Sequence, residues 1–80
     1  MTREELTRAI LETLTSIAPE VEPGAIEPAK LLRDQVDLDS ADWLNFLVAL
    51  HGKLGIDVPD ADVGKLTTLD KLVDYCERRK

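Results

Sequence analysis

Between Asp39 and Gly55 the chain carries an apolar stripe whose spacing leaves little choice of local structure. Trp43, Phe46, Leu47, Leu50 and Leu54 recur at i, i+3, i+4, i+7 and i+11, which is one face of a helix. Asp39 is a good N-cap, and Asp42, three positions on, suits the positive end of the helix dipole. Gly55 is a natural C-terminal cap, although Gly52 weakens the last turn. The spacing predicts a helix over Ser40–Leu54 with the hydroxyl of Ser40 at its first position. A second apolar set, Ala41, Leu44 and Val48, lies on a neighbouring face. A small bundle covers one stripe of each helix and rarely two, so Leu44 and Val48 are expected to face solvent and await a partner.

Two further segments carry one stripe each. Thr2-Arg3-Glu4-Glu5 reads as a capping box, and Leu6, Ile10, Leu14 and Ile17, with Ala9 alongside, predict a first helix that Pro19 stops. Near the other end, Thr67 is expected to cap a last helix with Asp70 three residues on. Leu69, Leu72, Val73 and Cys76 form its core face, and Arg78-Arg79-Lys80 sit at its negative end. Ile56-Asp57-Val58-Pro59 reads as extended. A short third helix near Ala61–Leu66, capped by Asp60 or Asp62, is interrupted by Gly64.

The connection from Ala18 to Asp39 holds Pro19, Pro23, Pro28 and Gly24 and no sustained period. Connections this long are usually functional or internally packed. Val21, Ile26, Leu31, Leu32, Val36 and Leu38 are its expected core anchors, with a helical turn around Pro28–Leu32. The expected fold is therefore all-α: a small four-helix bundle of three main helices and a short third one, with a long loop between helices one and two. Eighty residues suit one domain over 1–80, too small for a deep catalytic cleft.

The formal net charge of −6 argues against a nucleic-acid partner and for basic protein surfaces. A single cysteine excludes an internal disulfide, and Cys76 on an apolar stripe is expected to be a core thiol. The N-terminus lacks a basic-then-apolar leader and no apolar run reaches membrane-spanning length, which leads to the expectation of a cytoplasmic monomer with no membrane partner. No metal-ligand cluster or glycine-rich phosphate loop occurs, His51 lies off the buried stripe, and Ser40 has no His or Lys base nearby in sequence. Asp39 and Asp42 are explained by capping and dipole roles. The chain does not read as an enzyme.

The run Leu31–Tyr75 resembles the acyl carrier protein family. The markers are Asp39-Ser40 opening an apolar helix, Ile56-Asp57-Val58-Pro59 after it, and Lys65-Leu66-Thr67-Thr68-Leu69 before the last helix. The resemblance implies that Ser40 carries a covalent 4′-phosphopantetheine arm delivered from coenzyme A by a phosphopantetheinyl transferase. Its thiol would hold acyl groups as thioesters for acyl-transfer, ketosynthase or other acyl-processing enzymes of fatty-acid, polyketide or related biosynthesis. A phosphate esterified there would sit where a helix favours anions. Asp39, Ala41, Asp42, Leu44 and Val48 would be partner-recognition residues.

The chain departs from the family run Asp-Leu-Gly-x-Asp-Ser-Leu: here it is Gln35-Val36-Asp37-Leu38-Asp39-Ser40-Ala41. Asp37 stands where a Gly shapes the loop, and Ala41 removes an apolar contact for partners. The usually acidic outer face of helix two holds Asn45, His51, Gly52 and Lys53, with Asp42 balanced by Lys53. These departures point to a specialised carrier. The alternatives are an unmodified helical interaction module of the same fold and a peptidyl or aminoacyl carrier, against which Asp39 before Ser40 argues.

Overall fold

The computed structural model describes residues 2–79, and Lys80 at the end of the basic run lies outside them. Five α-helices are present among the described residues: α1 (Arg3–Ile17), α2 (Leu32–Gln35), α3 (Ser40–Leu54), α4 (Asp60–Val63) and α5 (Leu69–Arg79). The three long ones form a bundle in which α1 packs against both α3 and α5. No β-strand occurs among the described residues, and no helix is long and apolar enough to cross a membrane.

Local chemistry sets α1 and α3. Thr2 Oγ1 accepts from the Glu5 backbone N–H at 3.1 Å, and Glu5 Oε1 accepts from the Thr2 backbone N–H at 3.2 Å, closing the expected capping box. The first turn of α3 is held by Asp39, whose Oδ1 accepts from the Asp42 N–H at 2.8 Å. Its last turn ends at Gly55 with φ of +68°, a left-handed conformation that a side chain would strain. Leu6, Ile10 and Leu14 of α1 meet Phe46, Leu47, Leu50 and Leu54 of α3 and Leu69, Leu72, Val73 and Cys76 of α5 in one core. Trp43 is half-buried at its rim, its ring centroid 5.3 Å from that of Phe46.

The long connection differs in detail from the expected turn at Pro28–Leu32. The helical turns form at Pro23–Ala25, a 3-10 turn with Pro at its start, and at α2. Leu32, Val36 and Leu38 enter the core, and Val21 and Ile26 pack against it. Leu31 does not: it is 46% exposed, while its backbone forms an antiparallel bridge with Thr68. Beside that bridge the Leu32 N–H donates to Thr67 O at 2.9 Å, and the Asp70 N–H donates to Pro28 O at 3.1 Å. These bonds fasten the connection to the start of α5.

The same bridge corrects the expected cap of α5. Thr68 caps it, its buried Oγ1 accepting from the Lys71 backbone N–H at 3.1 Å. Pairing with Leu31 keeps residue 68 out of the helix, which therefore begins at Leu69, one residue too late for Thr67 to cap. Thr67 Oγ1 accepts instead from Lys71 Nζ at 3.4 Å. The third helix also starts earlier than expected: α4 follows Pro59, with no side-chain cap. Pro59 holds the cap position, Asp62 lies inside the helix, and the side chain of Asp60 lies outside the described part of the structure. Asp62 reaches the last helix, accepting from the Tyr75 hydroxyl at 2.9 Å and pairing with Arg79 at 3.3 Å.

Candidate functional site at the start of α3

The approach to Ser40 is an extended segment in which side chains alternate. Val36 and Leu38 point into the core, and Asp37 and Asp39 are exposed. Two buried anchors thus set the height of the chain as it enters α3. Among the described residues no non-glycine has positive φ, so Asp37 takes the place of the family's Gly without backbone strain.

Ser40 follows at the first helical position and is exposed, with no hydrogen bond to its hydroxyl among the described residues. Asp39 has its carboxylate committed to the Asp42 N–H, which holds both acids beside Ser40 as helix-start groups. Among the described residues no basic side chain hydrogen-bonds to the hydroxyl.

Two shallow grooves run from this point along the seam between α3 and α4. The first, about 330 Å³, is lined by Ser40, Trp43, Leu44, Val63, Leu66 and Arg33 among others. The second, about 540 Å³, continues past Val48, His51 and Val58. Leu44 and Val63 wall both. Leu44 is 54% and Val48 71% exposed, so the second apolar face of α3 is left uncovered as its spacing indicated. Ala41 is exposed beside them, and Asp42 is half-buried. A larger hollow of about 760 Å³ lies on the outer face of α1, but none of its lining residues belongs to α3 or α4.

The charges around this face are arranged by tertiary contacts. Lys53 turns to α1, where its Nζ lies 2.8 Å from Glu12 Oε2 and holds that carboxyl below its usual range. His51 is exposed, with Nδ1 3.7 Å from Asp57. Behind the grooves, the hydrogen bond from Tyr75 keeps the Asp62 carboxyl below its ordinary range, helped by Lys65 and Arg79.

The exposed Ser40 thus stands at a helix start beside an open apolar seam. The phosphopantetheine attachment site family matches residues 5–76. The chain belongs to that family. It is 31% identical over 75 residues to the acyl carrier protein of Rubrobacter xylanophilus, spanning 94% of this chain and 91% of the relative. It is also 31% identical over 78 residues to the meromycolate extension acyl carrier protein of Mycobacterium leprae, covering 98% of this chain and 67% of that one. The fold is that of the acyl carrier protein from Enterococcus faecalis, with a TM-score of 0.82, 24% identity and full coverage of both chains.

The chain is thus an acyl carrier, and family members hold 4′-phosphopantetheine covalently. The residues present fit such a group: the Ser40 hydroxyl is unobstructed and opens on a groove lined mostly by apolar side chains. Members of the family act as carriers served by a transferase and by acyl-processing enzymes. Two features of this face had no sequence signal. Arg33 joins the groove from a helix seven residues upstream, and Asp62 braces α4 through partners on α5.

Proposed function

We propose that the chain acts as one acyl-carrier domain, with Ser40 as the attachment point of its arm. A phosphopantetheinyl transferase would join the Ser40 oxygen to the arm's phosphorus as the pyrophosphate bond of coenzyme A breaks. Adenosine 3′,5′-bisphosphate departs, and the transferase removes the hydroxyl proton. The loaded thiol then carries acyl intermediates of fatty-acid, polyketide or related biosynthesis. The observation that carries this reading is the exposed Ser40 hydroxyl at the mouth of α3, adjoining the bare Leu44 and Val48. Tethering raises the concentration of substrate at a docked enzyme with no catalytic group on the carrier.

Asp39, Ala41, Asp42, Leu44 and Val48 are the recognition residues in this reading. The net charge of −6 suits basic partner surfaces. Asp42 is the single acid in the sequence of α3 and Ala41 follows the serine, so the face differs from a strongly acidic one, which supports a specialised carrier; a monomeric, cytoplasmic state belongs to the same proposal.

Mass spectrometry after incubation with coenzyme A and a broad-range transferase tests the attachment. Wild type should gain one phosphopantetheine and Ser40→Ala none. No gain with several transferases would favour an unmodified interaction module. Efficient elongation by general fatty-acid synthase enzymes would contradict the specialised role, and loading by an amino-acid-activating enzyme would indicate an aminoacyl carrier.

A further inference from the structure

Among the described residues, the groove that begins at Ser40 has one cationic side chain in its lining, Arg33. Several basic residues elsewhere are drawn to carboxylates (Arg3 to Asp74, Lys53 to Glu12, Lys65 and Arg79 to Asp62), whereas Arg8, Lys71 and Arg78 form no ion pair among the described residues but line no part of this groove. Arg33 is exposed and forms no ion pair among the described residues, although Asp34 and Asp37 are close by in sequence.

Its backbone, by contrast, is held firmly. The neighbouring Leu32 is buried and donates its N–H to Thr67 O at 2.9 Å. Two residues on, Gln35 clasps the preceding loop, accepting from the Glu27 N–H at 2.6 Å and donating to Glu27 O at 2.9 Å. An arginine on so fixed a base, without a carboxylate partner and opening on the groove of Ser40, is placed to meet an anion fixed to that serine. Asp39 and Asp42 flank Ser40 and would repel such an anion, so an opposing cation has a role to fill.

We propose that Arg33 binds the phosphodiester of the arm carried by Ser40 and so lays the first part of the arm along the groove beside Trp43 and Leu66. The inference rests on attachment at Ser40 and adds to it the residue that orients the arm. A guanidinium offers paired donors that match two phosphate oxygens, which a lysine ammonium meets only as a point charge. An exposed pair is weak between separate molecules, but here the two groups are tethered within one chain, so even a modest attraction biases where the arm lies.

The test compares apo and loaded protein by nuclear magnetic resonance at low salt, with loading verified by mass. In wild type, the Arg33 Nε–Hε signal, identified by its loss in Arg33→Gln, should shift on loading, while those of Arg8 and Arg78 stay in place. The phosphorus resonance of loaded Arg33→Gln should move towards that of a phosphopantetheinylated serine peptide, with partial return in Arg33→Lys. Both effects should fade at about 0.5 M salt. An Arg33 signal unmoved by loading in wild type would overturn the proposal, whether or not the variant can be loaded. So would a phosphorus resonance identical in wild type and Arg33→Gln. Failure of wild type to load would instead overturn the attachment itself and the inference with it.

Discussion

Tyr75 donates its phenolic hydrogen to Asp62 Oδ2 across 2.9 Å, joining the last helix to the short α4 that walls the grooves. Arg79 completes the contact from above the same ring, its guanidinium carbon 4.2 Å from the Tyr75 centroid and its Nη2 3.3 Å from Asp62 Oδ2. Helix α4 is four residues long and has no side-chain cap, so it has little stability of its own. Its position is borrowed from α5.

Tyr75→Phe should therefore lower the melting temperature by about 3–6 °C, in keeping with the loss of one hydrogen bond in a domain of this size. The Asp62 carboxyl lies below its ordinary value of 3.8 because of that bond, so the folded state binds its proton less readily than the unfolded chain. Its contribution to stability is present above about pH 4 and is lost as the pH falls through the depressed value. Thermal melts from pH 7 down to pH 2 should show wild type and Tyr75→Phe converging at the acid end. A constant gap across that range would count against the bond.

The two threonines before α5 offer a sharper contrast. Thr68→Ala removes the Oγ1 that satisfies the Lys71 N–H and should cost about 1 kcal/mol, the usual worth of an N-cap. Thr67→Ala loses only a long contact to Lys71 Nζ, and its backbone bond to Leu32 survives, so its cost should stay below about 0.5 kcal/mol. Urea denaturation of the two variants measures the difference directly, and equal losses would be inconsistent with the cap at Thr68.

Leu44 and Val48 should separate recognition from folding. Both are exposed, so Leu44→Ser and Val48→Ser should leave the melting temperature within about 2 °C of wild type. Affinity for a cognate partner enzyme, followed by titration calorimetry, should fall about tenfold in the double variant if each side chain loses burial on docking. An unchanged affinity would place the docking face elsewhere.

Much of this architecture is written locally. Thr2 with Glu5, Asp39 with Asp42 and the left-handed Gly55 fix the ends of α1 and α3, because each cap joins groups within a few residues and needs no distant partner. The bare face of Leu44 and Val48 follows from the same periodicity, since a helix with two apolar faces in a small bundle leaves one uncovered. The position of Ser40 at the head of α3 is therefore a property of the sequence.

Tertiary structure decided what depended on distant partners. Thr68 rather than Thr67 caps α5 because a bridge to Leu31, 37 residues earlier, delays the helix. Asp62 pairs with Tyr75 and Arg79 instead of capping α4, because an ion pair and a hydrogen bond across helices become available only once the bundle has formed. Arg33 joins the groove of Ser40 because Leu32 and Gln35 anchor α2, and neither anchor carries a periodic signal. Short-range capping and apolar spacing act before the chain is compact, whereas these choices are made by contacts that compaction creates.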